Sequence, residues 1–554
     1  YSFTLFERAP GGVRVRVQTD TTEQPFDINE GSKLELGSTA KLRVLATYLE
    51  IVAELHARFA PLPADALREA PVDRQDILGR WARDYLLAAA DRSLPAMLDA
   101  ALERRYPAST AELFFTGGGV HAFGNFRRED EQRIPTVREA LQASINLPFV
   151  RLMRDIVRHA MYQVPGSTAR LLEDDGDPRR AEYLARFADR EGQAFLRRFW
   201  RKYQGKSAEE MQAVFLDGLR PTADRLAAAW RYLNPQASAD AFALFMRARL
   251  EGVRLSESRL ATLYQRYAPG RLDLPDQGYV ARVHPLELWL VGYLSAHPGA
   301  AFADAVAASE QERQAVYRWL FGTRARSAQD RRIYTMLEVE AFLDIHQRWA
   351  RLGYPFEHLV PSLATALGSS GDRPAALAEL MGIIVNDGVR LPSLRVDTLR
   401  FAAGTPYDTA FARRAAAGER VMRSEVAAAL RNALSEVVEA GTARRLAGSY
   451  RLDDGSSLAV GGKTGTGDNR IVTTDARGQA RGAGVALNRT ATFVFFLGER
   501  HFGTVTAYVT GPAAARHRFT SALPVSVLRE LAPVLLPHIA PGSPLACEDA
   551  PDGA

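Results

Sequence analysis

At 554 residues and 47% apolar content the chain is long enough for two or three domains with large cores. Its formal charge of +5 is small for this length and not gathered into a basic run, which excludes a nucleic-acid-binding composition. One cysteine, Cys547, excludes an internal disulfide framework, and no Cys or His cluster has zinc-ligand spacing, so neither metal nor cofactor is expected.

The first segment reads as a β-hairpin. Tyr1, Phe3 and Leu5 alternate with other residues, Pro10-Gly11-Gly12 turns the chain, and Val13, Val15 and Val17 alternate with arginines. Because the chain opens at Tyr1 rather than Met, with no signal-peptide pattern and no apolar run of roughly 18 to 20 residues, any anchor or address is expected upstream.

Next comes Gly37-Ser38-Thr39-Ala40-Lys41, at the head of a segment from Leu42 to Leu55 whose apolar residues cover most of a helical circumference. That pattern predicts a helix buried on nearly all sides, with Ser38 at its N-terminus. A hydroxyl and an amine three residues apart are neighbours on one helical face, with Cβ atoms about 5–6 Å apart. A serine becomes a nucleophile when a nearby base takes its proton, and a buried lysine can be that base. Only five of the 70 basic residues are lysine, namely Lys33, Lys41, Lys202, Lys206 and Lys463. A lysine that survives such a bias marks a place where arginine, which cannot give up its proton, fails.

Gly117-Gly118-Gly119 with His121 reads as a loop, and Ser144-Ile145-Asn146 precedes Leu147-Pro148. Residues from about 155 to 350 form a helix-rich block without a repeat period. Tyr183, Leu184, Phe187, Phe195, Leu196, Phe199, Trp200 and Tyr203 recur at helical spacing and read as core. Ser309 and Glu312 have the form of a capping box ahead of Val316, Trp319 and Leu320, and 165–178 and 269–278 read as loops. His284, His297 and His346, among apolar helical residues, read as structural.

Towards the end, a strand at Ser457–Val460 leads into Gly461-Gly462-Lys463-Thr464-Gly465-Thr466, where glycines let a substrate lie against the backbone and the two threonines can bind a carboxylate. A phosphate-binding loop would need glycine where Ser457 stands, and a helix where Gly465-Thr466-Gly467 follows. Ala491–Leu497 and Thr504–Val509 read as paired strands, so one antiparallel sheet built from both chain ends is expected.

Ser38-x-x-Lys41, Ser144-x-Asn146 and Lys463-Thr464-Gly465, in that order, resemble the three motifs of the penicillin-binding protein and serine β-lactamase superfamily. The resemblance is closest to the transpeptidase domain of class A penicillin-binding proteins. It extends to Phe26-Asp27-Ile28-Asn29, to Leu359-Val360-Pro361-Ser362-Leu363 and Leu367-Gly368-Ser369-Ser370, and to Val437-Val438-Glu439-Ala440-Gly441-Thr442-Ala443. Asn386-Asp387-Gly388 nearly matches a family turn, and Leu42 stands where that class commonly has proline.

The resemblance implies an α+β fold, an antiparallel sheet from N- and C-terminal strands flanked by helices, with a large all-helical insertion. The expected division is a transpeptidase domain at 1–155 and 350–545 with the insertion at 156–349. It further implies that Ser38 attacks a D-alanyl-D-alanine carbonyl, Lys41 takes its proton, Ser144 relays a proton to the leaving amine, Asn146 holds the substrate amide and Lys41, and Lys463 tunes Ser144. Thr464, Gly465 and Thr466 bind the substrate, and the N–H groups of Ser38 and Thr466 form the oxyanion hole. Peptidoglycan stem peptides and β-lactam antibiotics are the implied partners, a protein partner could sit on the insertion, and the location is periplasmic or extracytoplasmic with a membrane anchor. The alternatives are a D,D-carboxypeptidase using the same site, or a catalytically weak scaffold or β-lactam sensor whose insertion docks a partner.

Overall fold

The computed structural model describes residues 1–9, 11–116, 119–164, 166–250, 252–318, 326–396, 398–412, 417–471 and 484–541. Cys547, Gly117, Gly118, Trp319 and Leu320 lie outside them. Two compact units emerge, one of residues 1–168 with 337–554 and one of residues 169–336.

The first unit is α+β. Its sheet contains β1 (Ser2–Ala9), β2 (Gly12–Asp20), β3 (Ser393–Leu394), β4 (Val460–Ile471), β5 (Val485–Leu497) and β6 (His501–Thr510), in the spatial order β4-β5-β6-β1-β2-β3. The two chain ends meet in the antiparallel β1–β6 pair, where Phe3 lies opposite Val505 and Phe6 opposite Phe502. The alternating sequences of both ends account for this, because each strand gains a ladder of hydrogen bonds only by finding the other. The expected all-antiparallel sheet holds except at its edge, where β3 pairs with β2 in parallel over two residues. Along β5, Ala491 and Phe493 to Leu497 are buried on both faces, which is why that run is continuously apolar rather than alternating.

Four helices position the site: α1 (Ala40–Phe59), α2 (Asn146–Tyr162), α3 (Pro374–Val385) and α4 (Ser424–Glu439). In α1, Leu42, Val44, Leu45, Tyr48, Leu49, Ile51 and Val52 are no more than 1% exposed, as the all-round apolar pattern requires. Each such side chain contributes about 1.5–3 kcal/mol by leaving water. Arg43 is also fully buried there. Its guanidinium holds Asp372 at 2.6 and 3.2 Å and donates to the carbonyls of Leu352 and Ala376, so a buried charge is fully paired.

The second unit is helical. Helices Arg179–Tyr203, Ala208–Asp217, Ala223–Leu233 and Pro285–Ala296 bury Leu196, Phe199, Tyr203, Phe215, Leu226 and Leu290 in one core, so the aromatic stripe read from the sequence is packing. Two local expectations fail. Ser309 does not cap the helix Glu310–Val316, because its hydroxyl donates to the carbonyl of Val306 and accepts from Arg313. The segments read as loops contain helices Ser167–Glu173 and Leu274–Ala281; the second begins at Asp273, whose carboxylate accepts from the N–H of Asp276, with Pro275 at its start. His284 and His346 are structural, as read: His284 accepts from the N–H of Leu286, and His346 bonds the carbonyl of Phe356.

Candidate active site

Ser38 lies in a 3-10 turn, Gly37–Thr39, that leads into α1, rather than inside the helix itself. Gly37 has φ +56°, and a Cβ there would stand 2.1 Å from the carbonyl oxygen of Thr466. Only glycine lets the turn press against β4 in this way. Gly465 makes the same approach from the other side: a Cβ on it would stand 2.1 Å from the carbonyl of Leu36. Through these contacts Ser38, which is partly exposed, shares one cavity of about 260 Å³ with Ser144, Asn146, Thr464, Gly465 and Thr466.

Lys41 reaches from the first turn of α1 to the segment 144–146. Its Nζ donates to the carbonyl of Ser144 at 2.7 Å and to Asn146 Oδ1 at 2.8 Å, and lies 3.3 Å from Ser144 Oγ. Asn146 Nδ2 donates to the carbonyl of Gly124 at 2.9 Å, which fixes the orientation of its amide. Lys463 arrives from β4, and its Nζ donates to Ser144 Oγ at 2.9 Å and to the carbonyl of Thr464 at 2.9 Å. Lys41 and Lys463, 103 and 319 residues from Ser144, therefore converge on one serine hydroxyl.

Both lysines are fully buried. Burial holds the Lys41 ammonium well below the usual amine range, and the charge of Lys463 adds to this against a weaker pull from Asp130. Burial alone brings Lys463 down to about 7. The hydrogen bonds give the Lys41 amine a definite orientation. Its Nζ donates to the Ser144 carbonyl, to Ser144 Oγ and to the Asn146 amide oxygen, so the amine is held from three sides. Ser144 Oγ thus accepts from both Lys463 and Lys41, which leaves its own proton to donate elsewhere.

Ser144 itself has φ +58°, in the left-handed region that non-glycine residues avoid. Held strain of about 1–3 kcal/mol is a mark of a constrained site. The constraint is visible: the Ser144 N–H bonds the carbonyl of Leu141, its carbonyl accepts from Lys41, and the next residues start α2.

Apart from Thr442, which belongs to the segment 437–443 of the resemblance, several site residues carried no signal read from the sequence. Asn125 accepts from the N–H groups of Asn146 and Leu147 at 3.2 and 3.1 Å, so it caps α2 from 21 residues upstream. A cap supplied from outside the local segment leaves no sequence pattern. Thr442 Oγ1 lies 2.7 Å from Thr464 Oγ1, and the N–H of Ser521 donates to Thr466 Oγ1 at 2.9 Å, leaving the Thr466 proton to donate elsewhere. Phe126, Arg127 and Asp130 line the cavity, as do Thr520, Ser521 and Ala522. His121 belongs to a short strand, Gly119–His121, rather than a loop, and does not line this cavity.

No group of His, Cys, Asp and Glu able to hold a metal occurs among the described residues. No single helix there is long and apolar enough to cross a membrane, and one bent pair, Ala522–Glu530 with Ala532–Ile539, meets that test only jointly.

No protein-family model matches the sequence, and no curated protein does. Among solved structures the chain is similar to the D,D-transpeptidase domain of a peptidoglycan glycosyltransferase from Eggerthella lenta, at 12% identity and TM-score 0.36, over 96% of this chain and 77% of that one. Penicillin-binding protein 3 from Mycobacterium tuberculosis, solved with aztreonam, aligns at 11% identity and TM-score 0.38, over 97% and 72%. The penicillin-binding protein PonA1 from the same organism aligns at 12% identity and TM-score 0.36, over 96% and 76%.

Proposed function

We propose that this chain is a penicillin-binding, serine-type D,D-transpeptidase that cross-links peptidoglycan stem peptides through an acyl-serine intermediate, with residues 1–155 and 350–545 forming the transpeptidase and 156–349 an insertion. The observation that carries the reading is the pair of buried lysines sharing Ser144 Oγ beside the cavity that Ser38 lines.

In this reading Ser38 Oγ attacks the carbonyl carbon of the penultimate D-alanine while Lys41 Nζ, neutral through burial and the adjacent cation, accepts the hydroxyl proton. The Ser38 and Thr466 N–H groups receive the developing oxyanion, and Gly37 supports this because it allows the two backbones to touch. The peptide C–N bond then breaks. The departing D-alanine amine takes a proton from Ser144 Oγ, which Lys41, now protonated, replenishes. An amine from a second stem peptide enters by the reverse proton path, forming the new amide and freeing Ser38. Thr466, whose hydroxyl proton is unspent, and Thr464 would hold the substrate's terminal carboxylate. Such a substrate places the chain outside the cytoplasm.

The test is to incubate wild type and Ser38→Ala with a fluorescent penicillin and measure intact masses. A single penicilloyl adduct on wild type and none on the variant is the expected result. An adduct on both, or on neither, sinks the assignment. Stem pentapeptide with and without an amine acceptor then distinguishes cross-linking from hydrolysis.

A further inference from the structure

A second cavity of about 270 Å³ lies in the first unit and shares no lining residue with the one at Ser38. Its floor is apolar: Phe6 of β1, Val13 of β2 and Phe502 of β6, with Ile383 of α3. These strands are two to four places from β4, about 10–19 Å at the usual strand spacing. The volume is close to the lower end of small-molecule pockets, roughly 300 Å³.

Its polar groups are selective. Among the charged residues lining it, Glu379 accepts from Arg390 at 2.6 Å and Glu30 is paired with Arg395. That leaves Arg373, which has no ion pair among the described residues and whose Nε is buried without a partner. Its guanidinium lies over the Phe356 ring, 5.1 Å from the centroid. Three arginines against two glutamates leave the cavity one positive charge. Asn386, only 4% exposed, also lines it, and neither its amide oxygen nor its amide nitrogen has a partner among the described residues. A buried amide without partners is unfavourable, and a ligand offering a donor and an acceptor removes that cost.

The wall of this cavity is continuous with the segment that carries Ser38. Asp372, next to Arg373, forms a two-way backbone bridge with Leu34 and holds Arg43, which in turn bonds the carbonyl of the lining residue Ala376. Arg43 is two residues after Lys41. Gly368, four residues before Asp372, packs against the backbone of Gly37 so closely that a Cβ on it would stand 2.8 Å from the Gly37 oxygen.

We propose that this cavity is a second ligand site, taking a small amphipathic monocarboxylate with its carbon chain on the Phe6–Phe502 floor and its carboxylate at Arg373, and that its occupancy is felt at Ser38 through the segment 368–373. The charge count selects a monoanion, the floor selects a hydrocarbon or aryl body, and the Asn386 amide favours a ligand with a further amide or hydroxyl.

The experiment uses 4-phenylbutyrate as probe and its neutral analogue 4-phenylbutanol, titrated calorimetrically into wild type, Arg373→Gln and Ala375→Phe, the last filling the cavity. Saturable one-site binding of the acid is expected, at least ten-fold weaker in Arg373→Gln and absent in Ala375→Phe, with the alcohol indifferent to Arg373. Melting curves confirm that both variants fold. Equal affinity in Arg373→Gln, binding that survives Ala375→Phe, or a cavity that takes up only water overturns the site. Saturating probe is expected to change the rate of fluorescent-penicillin acylation at least two-fold in wild type and not in Ala375→Phe; an unchanged rate overturns the coupling. The calorimetric arm requires no reactivity at Ser38, so it stands or falls separately from the proposed function.

Discussion

Replacing Gly37 by alanine tests whether the close approach of the Ser38 turn to β4 is what makes the site. The added methyl carries two separable costs. At φ +56° an alanine pays about 1–2 kcal/mol for the left-handed backbone. Its Cβ would also stand 2.1 Å from the Thr466 oxygen, whereas ordinary contact begins near 3.4 Å, so the turn and strand must separate by about 1 Å. Such overpacking costs a further 1–3 kcal/mol, about 2–5 kcal/mol in all. A misplacement of about 1 Å at a reacting centre is worth roughly 100-fold in rate. Gly404→Ala provides the control, because Gly404 has φ +74° and nothing within 4 Å of an added Cβ, so it carries the backbone cost alone. Urea unfolding should therefore show Gly37→Ala less stable than Gly404→Ala by about 1–3 kcal/mol. The second-order rate of fluorescent-penicillin acylation should fall about 100-fold in the first and stay near wild type in the second. Acylation by Gly37→Ala within three-fold of wild type would refute the argument that Ser38 depends on contact with β4.

Glu50, on α1, is 8% exposed, and burial raises its carboxyl to about 7 against the opposing charges of Arg351 and Arg348. A folded-state value above the unfolded one means stability present at low pH and lost as pH rises through about 7. Glu50→Gln should therefore stabilise the protein at pH 8–9 by about 2–3 kcal/mol and much less at pH 5; urea melts at both pH values that show equal effects would contradict this. Lys463 is shifted the other way, to about 7 from the ordinary amine value of 10.5. The unfolded chain then binds the extra proton between those limits, so stability should rise with pH from about 7 towards 10, and Lys463→Met should flatten that rise. Asn125→Ala removes the cap on the N–H groups of Asn146 and Leu147, costing about 1 kcal/mol, and should slow acylation by releasing Asn146 from Lys41. Wild-type acylation with a loss of stability alone would make Asn125 a fold residue only.

Features that depend on near neighbours along the chain were legible in the residue order. Ser38 and Lys41 fall three residues apart at the head of a helix, the all-round apolar pattern of 42–55 placed that helix in the core, and the alternating chain ends became β1, β2 and the β5–β6 pair. These follow from helical and strand periodicity and from backbone hydrogen bonds that close within a few residues. The glycines and threonines around Lys463 marked a strand that could face a substrate, although not that Gly37 and Gly465 each make room for the other segment's backbone.

Long-range packing is what makes Ser144 turn through a left-handed conformation to meet two lysines, lets Asn125 cap α2 from a separate segment, and brings Arg373 and Asn386 to one cavity. The failed capping box at Ser309 has the same origin, since Arg313 and Val306 take the hydroxyl that a local pattern assigns to the helix end. Local periodicity is written in side-chain spacing, but which distant backbones touch is set by shape and by the partner each buried polar group finds, and neither leaves a mark in the spacing of residues along the chain.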